Sequence, residues 1–551
     1  MRGLLAALLA LSGGCGTPVR RPTDDEAGGL NARVSALTAD DCRAGASGGK
    51  VGLCHAIGTD TFSYLTVDIN GCINGHTHHA ADFVSSDPSC RRCVPTTCAQ
   101  QAAACGQIAD GCGGTLTCGS CAAPATCGGG GVPNVCGAPP PRNCQQLVWR
   151  RALGGPGDDV AMAVATDGDG NVYVGGRTQG LDGVPVAGAY DAFLTKLDAA
   201  GNVLWTRQFG STAADQALGV ATAPGGLVYV SGVTEGSLPG NVSAGGSDLF
   251  LAQFDAAGDL GWLRQQGSAG GDVSYGVAAD GAGNAYLVGD TAGSLQTGVT
   301  NTDTDLVVIK FDGAGTPLWT RQLGSQSALP FTSAGGRAIA TMPGGGVVVA
   351  GITQAGSFDG QSGLGSNDVV LVRFDDDGNR LWSVQDGTSE FDFAHGVASD
   401  AAGNVLLAGS TAGSFVGPTS GTTLMLLKYD ASGSRLWARQ RVADAYTVGL
   451  AVASDGHGGV LVAGETAGSL DGQPRGGDGD DDPFLARYDG AGTWLWTQQD
   501  ASPGDQAGTG VAADVQGRVF TVGSILQPAD ADNHRSNDVF VSRTDAVVCA
   551  M

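Results

Sequence analysis

Seven tryptophans recur along the last 400 residues at nearly even spacing: Trp149, Trp205, Trp262, Trp319, Trp382, Trp437 and Trp496, separated by 56, 57, 57, 63, 55 and 59 residues. An eighth, Trp494, falls outside this register. Self-similarity at such a period constrains a chain more than its composition does, because each unit is one supersecondary element that must stack on its neighbours to bury its faces. Seven equivalent positions therefore predict seven structural units.

Within one unit, GNVYVGG (170–176) and DAFLTKLD (191–198) alternate with period two, VLWTRQFG (203–210) follows, and DDVAMAVATD (158–167) supplies a further strand. Four short antiparallel strands per unit make one blade of a seven-bladed β-propeller, an all-β fold. A β-helix needs a much shorter period. A leucine-rich repeat needs a helical half, which 93 glycines oppose, since each interior Gly costs a helix about 1 kcal/mol relative to Ala. The glycines belong to turns instead. Asp198, Asp255, Asp312, Asp375, Asp430, Asp489 and Asp545 open the last hairpin of each unit, and all but the final one have Gly three residues later. Asp at the first turn position bonds its own backbone, and Gly takes the positive-φ place. Asp167, Asp280, Asp400, Asp455 and Asp514 repeat the device in the first hairpin, with APGG (223–226) and MPGG (342–345) replacing it in units two and four.

The seventh unit ends without its Trp strand, whereas QLVWRRALG (146–154) stands unattached at the start of the domain and matches VLWTRQFG. This strand is predicted to complete the last blade as a clasp. Alignment then puts Cys144 and Cys549 two places apart on one turn position, where a disulfide would replace the missing hairpin connection. The units resemble the bacterial seven-bladed β-propeller repeat family (SBBP repeat), as in GVAADGAGNAYLVGDTAGS (276–294) and DLVVIKFDGAGTPLWTRQLG (305–324). That resemblance covers about three quarters of the chain. It implies the fold and an exported, often surface, setting, and no agreed activity.

Before the propeller (144–551) the chain changes character. Thirteen of 15 cysteines lie between Cys15 and Cys136, whereas about −24 of the net charge of −25 falls on positions 144–551. So acidic a surface repels phosphate backbones and makes nucleic acid an unsuitable partner. Cysteines this dense imply disulfides and an oxidising compartment. Residues 1–14 read as a signal peptide with an apolar run, LLAALLAL (4–11), and Ser12-Gly13-Gly14 precede Cys15. The segment resembles a bacterial lipoprotein signal, which would make Cys15 the lipidated residue, although Ser12 stands where that signal usually has an aliphatic residue. The run is too short to span a bilayer, so membrane attachment would be through lipid alone.

A flexible linker (15–41) leads to a Cys/His module (42–90), an eight-cysteine module (93–136) and a Pro-rich linker (137–143). The eight-cysteine run resembles a module attached to exported proteins of predatory and gliding soil bacteria; zinc at Cys118-x-x-Cys121 is the competing reading. The preceding module is similar to a short exported motif of Cys-His followed by His-x-x-His-x-x-Asp. His55, His76, His79 and Asp82 match it, a donor set suited to zinc or copper, with a solvated polar turn as the plain alternative.

An enzyme propeller needs a central constellation, and none is evident in the sequence. Arg207, Arg264, Arg321 and Arg439 each follow a repeat Trp by two, on the outermost strand. No G-x-S-x-G elbow is present in residues 144–551. Calcium is a candidate at DGDGN (167–171), DDDGN (375–379) and GDGDDDP (477–483), though none completes an EF-hand loop. The loops at 238–247, 300–304, 358–367 and 471–482 gather on one rim, and loops on a rigid scaffold are where binding resides. Asp478, Asp480, Asp481 and Asp482 are the candidate binding residues there. The sequence thus reads as an exported, non-enzymatic scaffold for a protein or glycan partner, lipid-anchored at the outer membrane or cell surface or, with an ordinary secretory signal, secreted or periplasmic. The alternative is a lyase or hydrolase acting on extracellular polysaccharide.

Overall fold

The computed structural model describes residues 46–47, 50–58, 61–68, 83–84, short pieces between 97 and 137, and residues 143–548 apart from 156, 300–303, 327–333, 355, 417–420, 477–480, 502–505 and 527–535. The chain divides into two compact units, Met1–Arg142 and Asn143–Met551. In the first, Lys50–Gly58 pairs antiparallel with Thr61–Asp68 and with Phe83–Val84, and Gln107–Ala109 pairs with Thr115–Thr117. Cys98 is bonded to Cys118, and Cys105 is also disulfide-bonded and fully buried. Cys118 is thereby withdrawn from the zinc reading. Cys15, His76, His79 and Asp82 lie outside the described residues, as does the side chain of His55.

The second unit is a seven-bladed propeller of four-stranded antiparallel sheets. Blade 1 runs Asp159–Thr166, Val172–Thr178, Asp191–Leu197 and Val203–Phe209, which we call strands a to d from the axis outward. Strands a of adjacent blades meet around the ring. Strands b and c are almost wholly buried on both faces, so they read as continuous apolar runs in which the period-two signal is muted. Strand d is half open to solvent.

The apolar core is divided into seven clusters, one per junction between blades. Val174 and Phe193 meet Phe520 and Val541 at junction 7/1, and Leu287 and Phe311 meet Tyr229 and Leu251 at junction 2/3. Among the described residues the cluster at junction 6/7 is the smallest, holding Leu461, Ala463, Leu485, Trp496, Val511 and Val519.

Closure follows the expectation. Strand a to c of blade 7 are Gln506–Ala513, Val519–Leu526 and Asn537–Val548, and Asn143–Leu153 pairs with the last of these as strand d. Its register carries Cys144 opposite Val547. Cys549 lies outside the described residues, so the Cys144–Cys549 bond does as well.

Candidate functional site

The Asp-x-x-Gly turns all lie on one face of the ring, because both the a–b and c–d connections are tight hairpins. In the turn after strand c of blade 1, Asp198 Oδ1 accepts the N–H of Ala200 and Asn202, at 2.9 Å each, and Gly201 takes φ 82°. The Asn202 side chain, donating to Asp198 Oδ2 at 2.8 Å, and then these backbone bonds hold the Asp198 carboxyl below the usual range. Asp167 and Asp375 bind their own turns in the same way, which assigns both DGDGN and DDDGN to turn geometry. Among the described residues no three His, Cys, Asp or Glu side chains converge as a metal site requires.

The recurrent Trp and Arg work on this face as latches between blades. Trp205 Nε1 donates to Ala256 O of the next blade's c–d turn at 3.1 Å, Lys196 Nζ donates to the same carbonyl at 3.2 Å, and Arg207 Nε donates to Gly258 O at 2.7 Å. The Gly of that turn lies flat on the Trp ring, where a Cβ would stand 2.8 Å from Trp205 Cδ2.

The opposite face carries the loops and one mouth of the central channel. Every strand a has a β-bulge one residue past its third position, and the inserted residues are Met162, Leu218, Tyr275, Arg337, His395, Leu450 and Thr509. All seven are half-buried. A bulge re-aims a side chain, so this ring is where the repeat admits variation at the axis.

Blades 3, 4 and 5 turn that variation into a cluster. Arg337 Nη1 lies 2.6 Å from Asp290 Oδ2, its guanidinium covers the Tyr275 ring at 4.4 Å, and Gly336 N donates to Asp290 Oδ1 at 2.7 Å. Burial raises the Asp290 carboxyl, with Arg337 opposing, and burial also raises the Tyr275 phenol. His395 Nε2 sits 3.4 Å from Ser410 Oγ, and burial aided by the Arg337 cation holds the imidazole down at about 4. Above it the rings of Phe393 and Phe391 continue a stack, with centroids 6.4 and 6.3 Å apart and interplanar angles of 19° and 5°. Phe391 is 49% exposed at the mouth. At blade 1, Arg177 lies over Tyr190 and donates to Gln216 Oε1 at 3.3 Å.

The central Tyr, Arg, acid and His were not singled out from the sequence. Their signal is present in the aligned inner strands AMAVAT, ALGVAT, SYGVAA, GRAIAT, AHGVAS, GLAVAS and GTGVAA, whose second letter varies in size and charge while the flanking residues stay small. Asp482, by contrast, was placed on the binding rim and belongs to the frame. It opens strand c of blade 6, is 1% exposed, and accepts the Gln499 side chain at 2.8 Å and Gly476 N at 2.9 Å. Asp191–Gln208, Asp248–Gln265, Asp305–Gln322 and Asp368–Gln385 make the same bond in other blades. Asp481 is half-buried, its carbonyl accepting Gln506 N at 2.8 Å; Asp478 and Asp480 lie outside the described residues.

Two segments, residues 148–182 and 261–296, match the repeat family described as SBBP, Beta-propeller repeat. The regulatory protein FlaEY of Caulobacter vibrioides is 30% identical over 201 residues, 32% of this chain and 21% of that protein, so the match spans about a fifth of its length. Among solved structures, the Neurospora crassa Pan2 WD40 domain is similar with 10% identity and TM-score 0.43 over 73% of this chain and 96% of that one. A PL25 ulvan lyase is similar with 11% identity and TM-score 0.44 over 68% of this chain and 93% of that one.

Proposed function

We propose that the protein is an exported, lipid-anchored, non-enzymatic propeller that binds a protein or glycan partner on its loop face, across the mouth of the central channel. The observation that carries this reading is the Phe391–Phe393–His395 stack, an aromatic ladder leading from an exposed ring into a half-buried polar cluster. Aromatic faces beside hydrogen-bonding groups suit extended polar ligands, sugars in particular. Export is supported by the cysteine density and the Cys98–Cys118 disulfide, and anchoring by the apolar run ahead of Cys15. No helix of the described residues is long and apolar enough to cross a membrane. Glycan and peptide arrays probed with the full chain test the reading. Phe393→Ala is expected to weaken the captured ligand about tenfold, as loss of one stacked ring does. Unchanged binding would place the partner elsewhere.

A second reading is favoured by the Tyr275, Arg337 and His395 cluster: a lyase acting on an acidic polysaccharide. The neutral imidazole can take a proton and the phenol give one, although burial makes the first a weaker base and the second a weaker acid than in water. Against it, Asp290 already occupies the guanidinium edge that a substrate carboxylate would take. Formation of unsaturated product from uronate polymers, abolished by His395→Ala, would establish this reading and displace the first.

A further inference from the structure

Six of the seven junctions are closed on the turn face by the same Trp-to-carbonyl latch, five of them with a second donor, and the seventh is not. Trp149, Trp205, Trp262, Trp319, Trp382 and Trp437 each donate Nε1–H to the carbonyl of the residue after Asp in the next blade's turn, at 2.9 to 3.3 Å. At most of them a long polar side chain of strand c reaches the same oxygen: Arg543 to Ala199, Lys196 to Ala256, Gln253 to Gly313, Lys310 to Asp376 and Lys428 to Gly490. The turn Gly then covers the ring.

At junction 6/7 the receiving turn does not exist, because the clasp replaces the last hairpin and the sequence after Asp545 is Ala-Val-Val with no Gly. Trp496 is 6% exposed and its buried Nε1 has no hydrogen-bond partner. Arg487, the counterpart of Lys196, turns back to Asp455 of its own blade at 2.5 Å. A cavity of about 290 Å³ stands in the place of the turn, lined by Trp496, Arg487, Asp455, Thr544 and Asp545, with His457 and Gln516 exposed at its rim. The small 6/7 core cluster agrees with this vacancy in the repeat.

We propose that this cavity is a binding site for a glycine-bearing β-turn of the Asp-x-x-Gly type, supplied by a partner protein. The occupant's chemistry is specified by the six filled junctions. A carbonyl oxygen accepts Trp496 Nε1–H, a residue without Cβ lies on the indole face at positive φ, and no net charge is required, since Arg487 and Asp455 already neutralise each other. A side chain at the Gly position would collide with the ring, so ordinary turns are refused.

The probe is a fluorescein-labelled cyclic peptide containing Asp-Gly-Ala-Gly-Thr, the sequence of residues 312–316, titrated into the full chain and followed by anisotropy. Saturable binding is expected. Trp496→Phe keeps the ring and removes the donor, and should weaken binding about fivefold. Gln516→Trp blocks the rim from an exposed position, so it tests the site even where the Trp496 variant folds poorly. Trp437→Phe, at a filled junction, should leave binding unchanged, and the peptide with Val for its second Gly should not bind. No anisotropy change at millimolar peptide would overturn the proposal. So would binding indifferent to both Trp496→Phe and Gln516→Trp.

Discussion

At the scale of single residues the fold rests on glycines that two constraints hold at once. Gly315 has φ 78°, and a Cβ there would stand 2.8 Å from Trp262 Cδ2; Gly283 has φ 83° and nothing within 4 Å. Gly283→Ala should therefore cost only the left-handed penalty, about 1 kcal/mol. Gly315→Ala should cost about 2 kcal/mol or more, because the indole must also move. Equal shifts in chemical denaturation would show that the ring contact contributes nothing. The positive-φ requirement was legible in Asp-x-x-Gly, but the ring above it was not, since the Trp comes from the preceding blade about 50 residues away. His395 makes the same point at the axis. Its imidazole is held neutral by burial and by Arg337 from the neighbouring blade, a pairing no local pattern reveals. Its ring proton resonances should titrate near 4, against an ordinary 6.5, and Arg337→Gln should move the midpoint upward. Titration at the ordinary value would mean the ring is solvated and the channel open at that level. Folding excludes the imidazolium, so His395's contribution to stability is intact above 6.5 and is lost as pH falls toward 4.

At the scale of the blade, the alternation of apolar residues was enough to place four strands per unit, and their order follows from short connections. What it did not show is how blades are joined on the loop face. There the first residue of strand a faces a carboxylate at the start of the preceding strand c: Asp215 with Asp191, and Asp392 with Asp368. Asp215 accepts Ser211 N at 2.6 Å and Asp392 accepts Thr388 N at 2.6 Å, and the Thr234 and Thr411 side chains lie beside the two carboxyls. Burial first, and the facing carboxylate as well, raise both groups above 3.8. With the folded value raised, the native state binds the extra proton, so these pairs gain stability as pH is lowered from neutral through the folded value and stop gaining below 3.8. The turn aspartates act oppositely: Asp167 and Asp400 are lowered, so their contribution is present above 3.8 and lost as pH falls through their folded values. With His395 replaced by Gln to remove its opposing loss below 6.5, thermal stability should therefore rise on mild acidification and fall in strong acid. Asp215→Asn combined with Asp392→Asn should flatten the rise and leave the fall. A rise undiminished in that double variant would assign it to the other carboxyls that burial raises, Asp159, Asp290 and Glu465, or to relief of the net charge of −25.

At the scale of the whole molecule, closure was the most legible feature and also creates the least regular one. A strand left over at one end, residues 146–154 in sequence, and a strand missing at the other could only meet in one blade, and they do so over the register Val539↔Leu153 to Val548↔Asn143. The vacant latch at junction 6/7 is the cost of that solution, visible in the sequence only as an Asp545 with no Gly after it. Removing residues 143–153 should do more than delete one strand. It would strip Trp149 from the Ala199 carbonyl and expose the edge of Asn537–Val548, a long strand with unpaired backbone groups. Such a variant is expected to be destabilised by several kcal/mol and to self-associate through that edge. The Cys144–Cys549 bond we propose would add to the clasp by shrinking the unfolded ensemble across about 400 residues, near the upper limit of about 5 kcal/mol for loop closure. The two contributions separate by experiment. Reduction, or Cys144→Ser with Cys549→Ser, should lower the denaturation midpoint without producing oligomers, because the strand remains paired. Deleting the strand should produce both effects. If the double Ser variant has the same midpoint as the oxidised protein in non-reducing conditions, hydrogen bonding and the Trp149 latch alone keep the ring shut.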